Sequence, residues 1–329
     1  MEALGAPRVF NVSSLQLANL AAYAIFIFTS GIGGTGAFGV PRIGDASNDL
    51  PVSVTPASYA FSIWSLIFVL LGVLTLAQLL PMNREWASAK LGLWWVLNAA
   101  LGEGLWPFAF VFRWGGMWVS AFILLFIVVT AAGLYLQMGG GVAPLSSALD
   151  KDSSAGCLRR AAPPVTLLEL LCQAGVAIYM GWTTAATILN FSIALQQAGV
   201  TEGDSAVGSV SVVVAAAALA VLCSVTRTDF FFSGALCWAL AAIHVNQVRN
   251  GEPQAAAAAA LAAAGIAGAA AGAALLWRLG MLATGRWAIA PWSLRLGSSE
   301  PAPKAAWAAA PPIDIIVTRN AAAGVVAWK

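Results

Sequence analysis

Glu103 is the one carboxylate within the apolar run LNAALGEGLWPFAF. A charged side chain near the centre of a bilayer costs several kcal/mol even on lenient scales. Glu103 must therefore face other protein, a cavity or a partner. There it either hydrogen-bonds to a neighbouring helix or acts as a ligand or proton-binding group. On the same stretch Asn98, Gly102 and Trp106 share one helical face, and Trp95, Ala99, Glu103, Trp106 and Phe110 share the adjoining one. In YMGWTTAATILNF, Trp182, Ala186, Leu189 and Asn190 lie on one stripe. Small residues beside a tryptophan either admit a neighbouring helix or leave room for a ligand. Asn190 would pin that face through an interhelical hydrogen bond. In VTPASYAFSIWSLIFVLLG, Pro56 stands just before a helix start, where its missing N–H costs little. Tyr59 follows in the first turn, and Phe61, Trp64 and Phe68 repeat at i, i+3 and i+7. In lipid such an aromatic stripe reads either as an interfacial belt or, where polar and small groups on other spans also point inward, as one wall of a pocket. No paired carboxylates, nucleophile–base set or metal cluster is visible, so no catalytic or metal-binding residue is assigned and an enzyme is not expected.

The elements that hold these residues are membrane helices. Of the 329 residues, 60% are hydrophobic and 9% charged, and the mean hydropathy is +0.83. Soluble domains carry about 25% charged residues. Apolar runs of about 20 residues, the length that crosses a bilayer as a helix, occur at 15–32, 57–80, 91–111, 117–138, 171–195, 207–225, 230–248 and 255–279. The last is mostly alanine, which favours helix but drives insertion weakly. Its Gly268 and Gly272 form a small-xxx-small pair that would let another helix approach. The fold expected is an all-α, multi-pass transmembrane bundle of about eight spans, or seven if the alanine-rich segment does not insert. No internal repeat and no span broken at mid-membrane is visible.

Charge fixes an expected orientation. With eight spans, one side holds Arg8, Arg84, Lys90, Lys151, Arg159, Arg160, Arg227 and six Lys/Arg from Arg278 onward, whereas the other holds only Arg42, Arg113 and Arg249. Cytoplasm-facing loops carry the Lys/Arg excess, so both termini are expected on the cytoplasm-equivalent side of a membrane not itself identified. No cleavable signal peptide is evident, and the first apolar run should remain as a span. Cys157, Cys172, Cys223 and Cys237 lack metal or redox spacing and read as small apolar residues.

Other motifs carry less. GIGGTG and GTGAFG satisfy G-x-G-x-x-G, but a membrane helix precedes them and a loop broken by Pro41 follows, so they read as a helix exit. The sequon Asn11-Val12-Ser13 falls on the cytoplasm-like side and should be unmodified. His244, the single histidine, reads as an interfacial or packing residue.

At the three aromatic stretches the chain resembles the TspO/MBR family of translocator and tryptophan-rich sensory proteins. TPASYAFSIWSLIF is similar to its proline-led second helix through Pro56, Trp64, Leu66 and Phe68. LNAALGEGLWPFAF is similar to the third through Leu97, Asn98, Trp106, Phe108 and Phe110. YMGWTTAATILNF is similar to the fifth, W-x-x-x-A-T-x-L-N, through Trp182, Ala186, Thr187, Leu189 and Asn190. The likeness spans about residues 15–195, the family's five-helix unit. The remainder, with TDFFFSGALCWALAAI, resembles extended bacterial members. The resemblance implies a helical bundle whose cavity binds porphyrins and other flat lipophiles, with roles in tetrapyrrole handling, sterol transport or stress signalling. Here the loop before Pro56 has no tryptophan, one proline replaces the usual pair, and Glu103 stands outside the pattern, so porphyrin breakdown is not expected.

The expected organisation is therefore 1–199 as the TspO/MBR-like unit, 200–280 as three further membrane helices, and 281–329 as an Ala/Pro/Trp-containing tail, largely mobile. The expected ligand-binding set is Pro56, Tyr59, Phe61, Trp64, Phe68, Asn98, Glu103, Trp106, Trp182, Ala186 and Asn190. The expected function is binding or carriage of a hydrophobic, tetrapyrrole-like ligand. The alternatives are a proton-coupled transporter using Glu103 and a structural membrane partner. No cofactor is required, although a porphyrin or haem-like molecule is an allowed ligand. Expected partners are membrane lipids, a lipophilic small molecule and, as an option, a second copy in a homodimer. Nucleic acid is not among them.

Overall fold

Ser13 starts the first helix. Its hydroxyl accepts from the Gln16 N–H, and the Gln16 side chain accepts from the Ser13 N–H, a reciprocal cap. The computed structural model describes residues 12–139, 165–200, 206–252, 254–283 and 289–290. In it α1 is Ser14–Thr35. The helix stops where Gly36 turns left-handed at φ 77° and donates its N–H to the Ile32 carbonyl, which is how the glycine-rich exit works. Gln16, Asn19, Ala22, Phe26 and Thr29 form its buried stripe.

The second span begins as a 3-10 turn, Ser58–Ser62, and continues as α2, Ile63–Ala77. Polar groups tie it to α1: Gln16 donates to the Gln78 carbonyl at 2.6 Å, and Asn19 donates to the Gln78 side chain at 2.8 Å. The Tyr23 hydroxyl donates to the Phe68 carbonyl at 2.7 Å.

The third span, α3 (92–111), is not a regular helix, contrary to the unbroken span expected. It joins Gly92–Val96, a π-helical stretch Leu97–Gly102 and Glu103–Val111. Gly92, at φ 53°, separates it from an earlier π turn. A π turn adds a residue to the helical circuit, so the faces before and after it no longer follow one 3.6-residue register. Pro107 leaves the Glu103 carbonyl without its usual i+4 donor, and the Thr29 hydroxyl of α1 reaches that oxygen at 3.3 Å.

Then follow α4 (Met117–Gln137), α5 (Leu167–Gln197), α6 (Ala206–Arg227), α7 (Phe230–Asn250) and α8 (Gln254–Ala283). Seven helices among the described residues are long and apolar enough to cross a membrane, and α3 is the further apolar stretch. The Thr166–Glu169 capping box starts α5, and Glu169 pairs with Lys90 at 2.5 Å. Two glycines make α5 the hub. A Cβ on Gly175 would lie 2.8 Å from Leu70 Cβ on α2, and one on Gly181 would lie 2.7 Å from the Phe232 carbonyl oxygen of α7.

The last three helices close on themselves and, through α7, on α5. Asp229 caps α7 through the Phe231 and Phe232 N–H groups and also bonds the Tyr135 hydroxyl. Arg278 of α8 donates to the Thr228 carbonyl at 2.8 Å. The alanine-rich segment is a helix of 30 residues. Of its glycine pair only Gly268 is close to a neighbour: a Cβ there would lie 3.2 Å from Cys237 Sγ, whereas one on Gly272 would meet nothing within 4 Å. His244 is a packing residue, its Nδ1 2.8 Å from the Ala257 carbonyl oxygen. Val165–Thr166 pairs in parallel with Ile289–Ala290. The described residues on both sides of the expected boundary at 199–200 lie in one compact unit. The expectations for Asn11, Cys157 and the tail beyond residue 290 lie outside the described residues.

Candidate functional site

Pro56 marks where the chain turns from a loop into the second span, and residues 51–58 form one lip of a cavity of about 1100 Å³. The cavity opens at the end of the bundle where α1, α5 and α7 finish and α6 and α8 begin, and it extends inward to Glu103 and Trp106. Phe61, Trp64 and Phe68 supply one wall. The i, i+3, i+7 spacing does what it should: Trp64 and Phe68 stack with ring centres 5.4 Å apart. Trp106 faces them from α3, backed by Phe110 at 5.5 Å. Its Nε1–H is buried without a hydrogen-bond partner, and a buried donor in that state costs stability unless something else satisfies it.

Glu103 lines the cavity at 1% exposure. One of its oxygens is 2.7 Å from the Tyr179 hydroxyl, which is also 2.7 Å from Asn98 Oδ1. Asn98 in turn donates to the Ile127 carbonyl and to the Thr130 hydroxyl, both at 2.8 Å. Three helices, α3, α4 and α5, thus converge on one buried polar chain, and the Thr29 hydroxyl of α1 bonds the Glu103 main-chain carbonyl beside it. Tyr179 was not read from the sequence as a site residue. Its signal was its position one turn before Trp182 on α5.

Of the eleven residues expected to bind ligand, the structure brings six to the cavity wall: Pro56, Phe61, Trp64, Phe68, Glu103 and Trp106. The others lie elsewhere. Tyr59 is 41% exposed and packs edge-on to Trp238 of α7. Asn98 sits behind Tyr179. Trp182 is buried behind Phe61, ring centres 5.6 Å apart. Asn190 accepts from Ser120 at 2.7 Å and donates to the Ala186 carbonyl, so it fastens α5 to α4, and Ala186 packs on the core beside it.

The rim was not anticipated. Gly208, Ser209 and Val212 of α6, with Asn246 and Arg249 of α7 and Glu252 after it, complete the mouth. The loop is held to α7 by hydrogen bonds: Ala57 N–H to the Ala242 carbonyl at 3.0 Å, Asn246 to the Thr55 carbonyl at 3.0 Å, and Gln247 to the Ser53 carbonyl at 2.8 Å. Ser53 also bonds Ser209 of α6, and Trp238 donates to the Ala60 carbonyl at 3.0 Å. The helices beyond the five-helix unit therefore build part of the site.

No curated protein and no solved structure matches the chain. The family model described as TSPO-like protein matches residues 16–273, which runs from the first turn of α1 through α6 and α7 to two thirds of the way along α8. An aromatic interhelical cavity in a bundle of apolar helices, together with that match, assigns this integral membrane protein to the TSPO-like family.

Proposed function

We propose that the protein binds a hydrophobic, flat-ringed ligand of tetrapyrrole-like size and holds or carries it within the membrane. One observation carries this reading: the cavity of about 1100 Å³ walled by Phe61, Trp64, Phe68 and Trp106. Ligand sites between helices are mostly apolar with a few placed polar groups, and this wall has that make-up. Offset stacking adds about 0.5–1.5 kcal/mol per aromatic pair beyond burial. The orphan Trp106 N–H supplies a donor for an acceptor on the ligand. With the termini on the cytoplasm-equivalent side, as the Lys/Arg count favours, the mouth faces the opposite compartment, the side that holds Arg42 and Arg249.

Titration of the purified protein with a porphyrin tests this through indole fluorescence. Saturable quenching is expected, with affinity falling about tenfold in Trp64→Ala on the stacking scale and falling also in Trp106→Phe, which keeps a ring but removes the donor. Quenching that is unsaturable, or unchanged in both variants, rejects the cavity as the binding site.

A further inference from the structure

Three ionisable side chains line the cavity. Arg249 and Glu252 stand at the rim, and Glu103 alone lies deep in a span. Among the described residues no cation lies within ion-pair distance of Glu103, whose side-chain partner is Tyr179. The surrounding hydrogen bonds are nonetheless built for a carboxyl that changes charge. Asn98 cannot turn its amide around, because both its donors are engaged by Ile127 and Thr130, and the Thr130 hydroxyl spends its own proton on main-chain carbonyls. Asn98 Oδ1 therefore faces Tyr179, whose single O–H has an acceptor at 2.7 Å on either side. With a proton on Glu103, the carboxyl donates to Tyr179 and Tyr179 donates to Asn98. Without it, Tyr179 swings its proton to the carboxylate. One rotating O–H bond accommodates both states, and in the second the carboxylate still lacks a counter-charge.

The geometry points to a ligand that supplies that charge: a lipophile with a protonated nitrogen at its buried end, held against Glu103. This deepens the binding reading above and rests on it. A carboxylate in an apolar site is stable only when paired and hydrogen-bonded. Tyr179 provides the hydrogen bond and the ligand nitrogen the pairing. The wall suits a cation too, since Trp faces attract ammonium groups. Trp106 stands one turn from Glu103 on α3, and Trp64 packs on Tyr179 with ring centres 6.3 Å apart. For an amine that enters neutral the step balances within the site: the carboxyl proton moves to the ligand nitrogen, giving ammonium and carboxylate, and Tyr179 redirects its hydrogen bond from Asn98 to Glu103.

The test compares two pyrene probes on the full chain in nanodiscs, with protein-free nanodiscs as the partition control. One is N,N-dimethyl-(pyren-1-yl)methylamine and the other its uncharged isostere, 1-isobutylpyrene, both read by indole-to-pyrene energy transfer. The wild type should bind the amine at least about tenfold more tightly, as a charge-assisted contact implies. Glu103→Gln should bring the two probes within about twofold while still binding the isostere, which also reports that the variant is folded. Tyr179→Phe should lower the amine preference in part, because the carboxylate loses its donor. Equal affinity for both probes in the wild type, or a preference that survives Glu103→Gln, overturns the nitrogen. If the two bind equally and both are weakened by Trp64→Ala, the cavity reading stands and the nitrogen falls. If neither binds above the control, both readings fall.

Discussion

Trp64, Trp106 and Trp182 were expected to converge, and two of them do. Trp182 stands one layer back, 3% exposed, with its ring edge-on to Phe61. The reason this division could not be read from spacing is physical. In lipid, acyl chains are as apolar as a protein core, so an aromatic stripe marks a face without saying whether a void, a neighbour or lipid meets it. Polar residues are more legible because they cannot face lipid. Glu103, Asn98 and Asn190 all point inward as the cost of burying unpaired polar groups demands, though only Glu103 reaches the cavity. Trp182→Ala separates support from contact. Removing a fully packed tryptophan typically costs about 3–5 kcal/mol, so thermal unfolding in detergent should shift down markedly. Trp64→Ala removes a side chain already bordered by empty space, and its shift should be clearly smaller. Equal shifts for the two variants would put both rings in the same structural role.

Among the elements, seven of the eight spans fall within a few residues of the apolar runs that announced them. The fifth is longer than its apolar core, 31 residues from Leu167 to Gln197, because the T-x-x-E capping box at Thr166 starts the helix before the hydrophobic run begins. That signal was in the sequence. The π stretch Leu97–Gly102 has no such cap or pattern, although its Asn98 and Gly102 are weak helix formers. Helix spacing is similarly set by particular glycines. Gly181 brings α7 against α5 so closely that an added Cβ would meet main-chain oxygen at 2.7 Å, while Gly234 on α7 faces nothing within 4 Å. Gly181→Ala should therefore destabilise by about 1–3 kcal/mol, the usual range for overpacking. Gly234→Ala should be neutral or stabilise by up to about 1 kcal/mol, the helix-propensity gain of alanine over glycine. Melting both variants in one detergent checks this, and a loss at Gly234 equal to that at Gly181 would contradict the close approach.

For the molecule as a whole, composition was enough to give the class, a bundle of membrane helices, but not the way the last three helices join the rest. Nothing in their sequence says that α7 reaches back across the bundle, because backbone carbonyls at Ser53, Thr55 and Ala60 leave no mark in residue type. Yet α7 holds the lip of the cavity, so the mouth is shared between the first five helices and the last three. If that hold governs access, loosening it should open the mouth without touching the aromatic wall. Asn246→Ala combined with Gln247→Ala deletes the side-chain bonds to Thr55 and Ser53 and leaves the Ala57–Ala242 backbone bond in place. At about 1 kcal/mol for each lost bond, local opening of residues 51–57 should become roughly ten- to thirtyfold more frequent. Hydrogen exchange at the Ala57 amide reads that opening directly, and a bound fluorescent lipophile should leave faster by a similar factor. Exchange in α2 and α5 should stay as it was, because their packing is not altered. Unchanged exchange at Ala57 would mean that the Ser53–Ser209 contact or the loop's own turns hold the lip, and that α7 lies beside the mouth without controlling it.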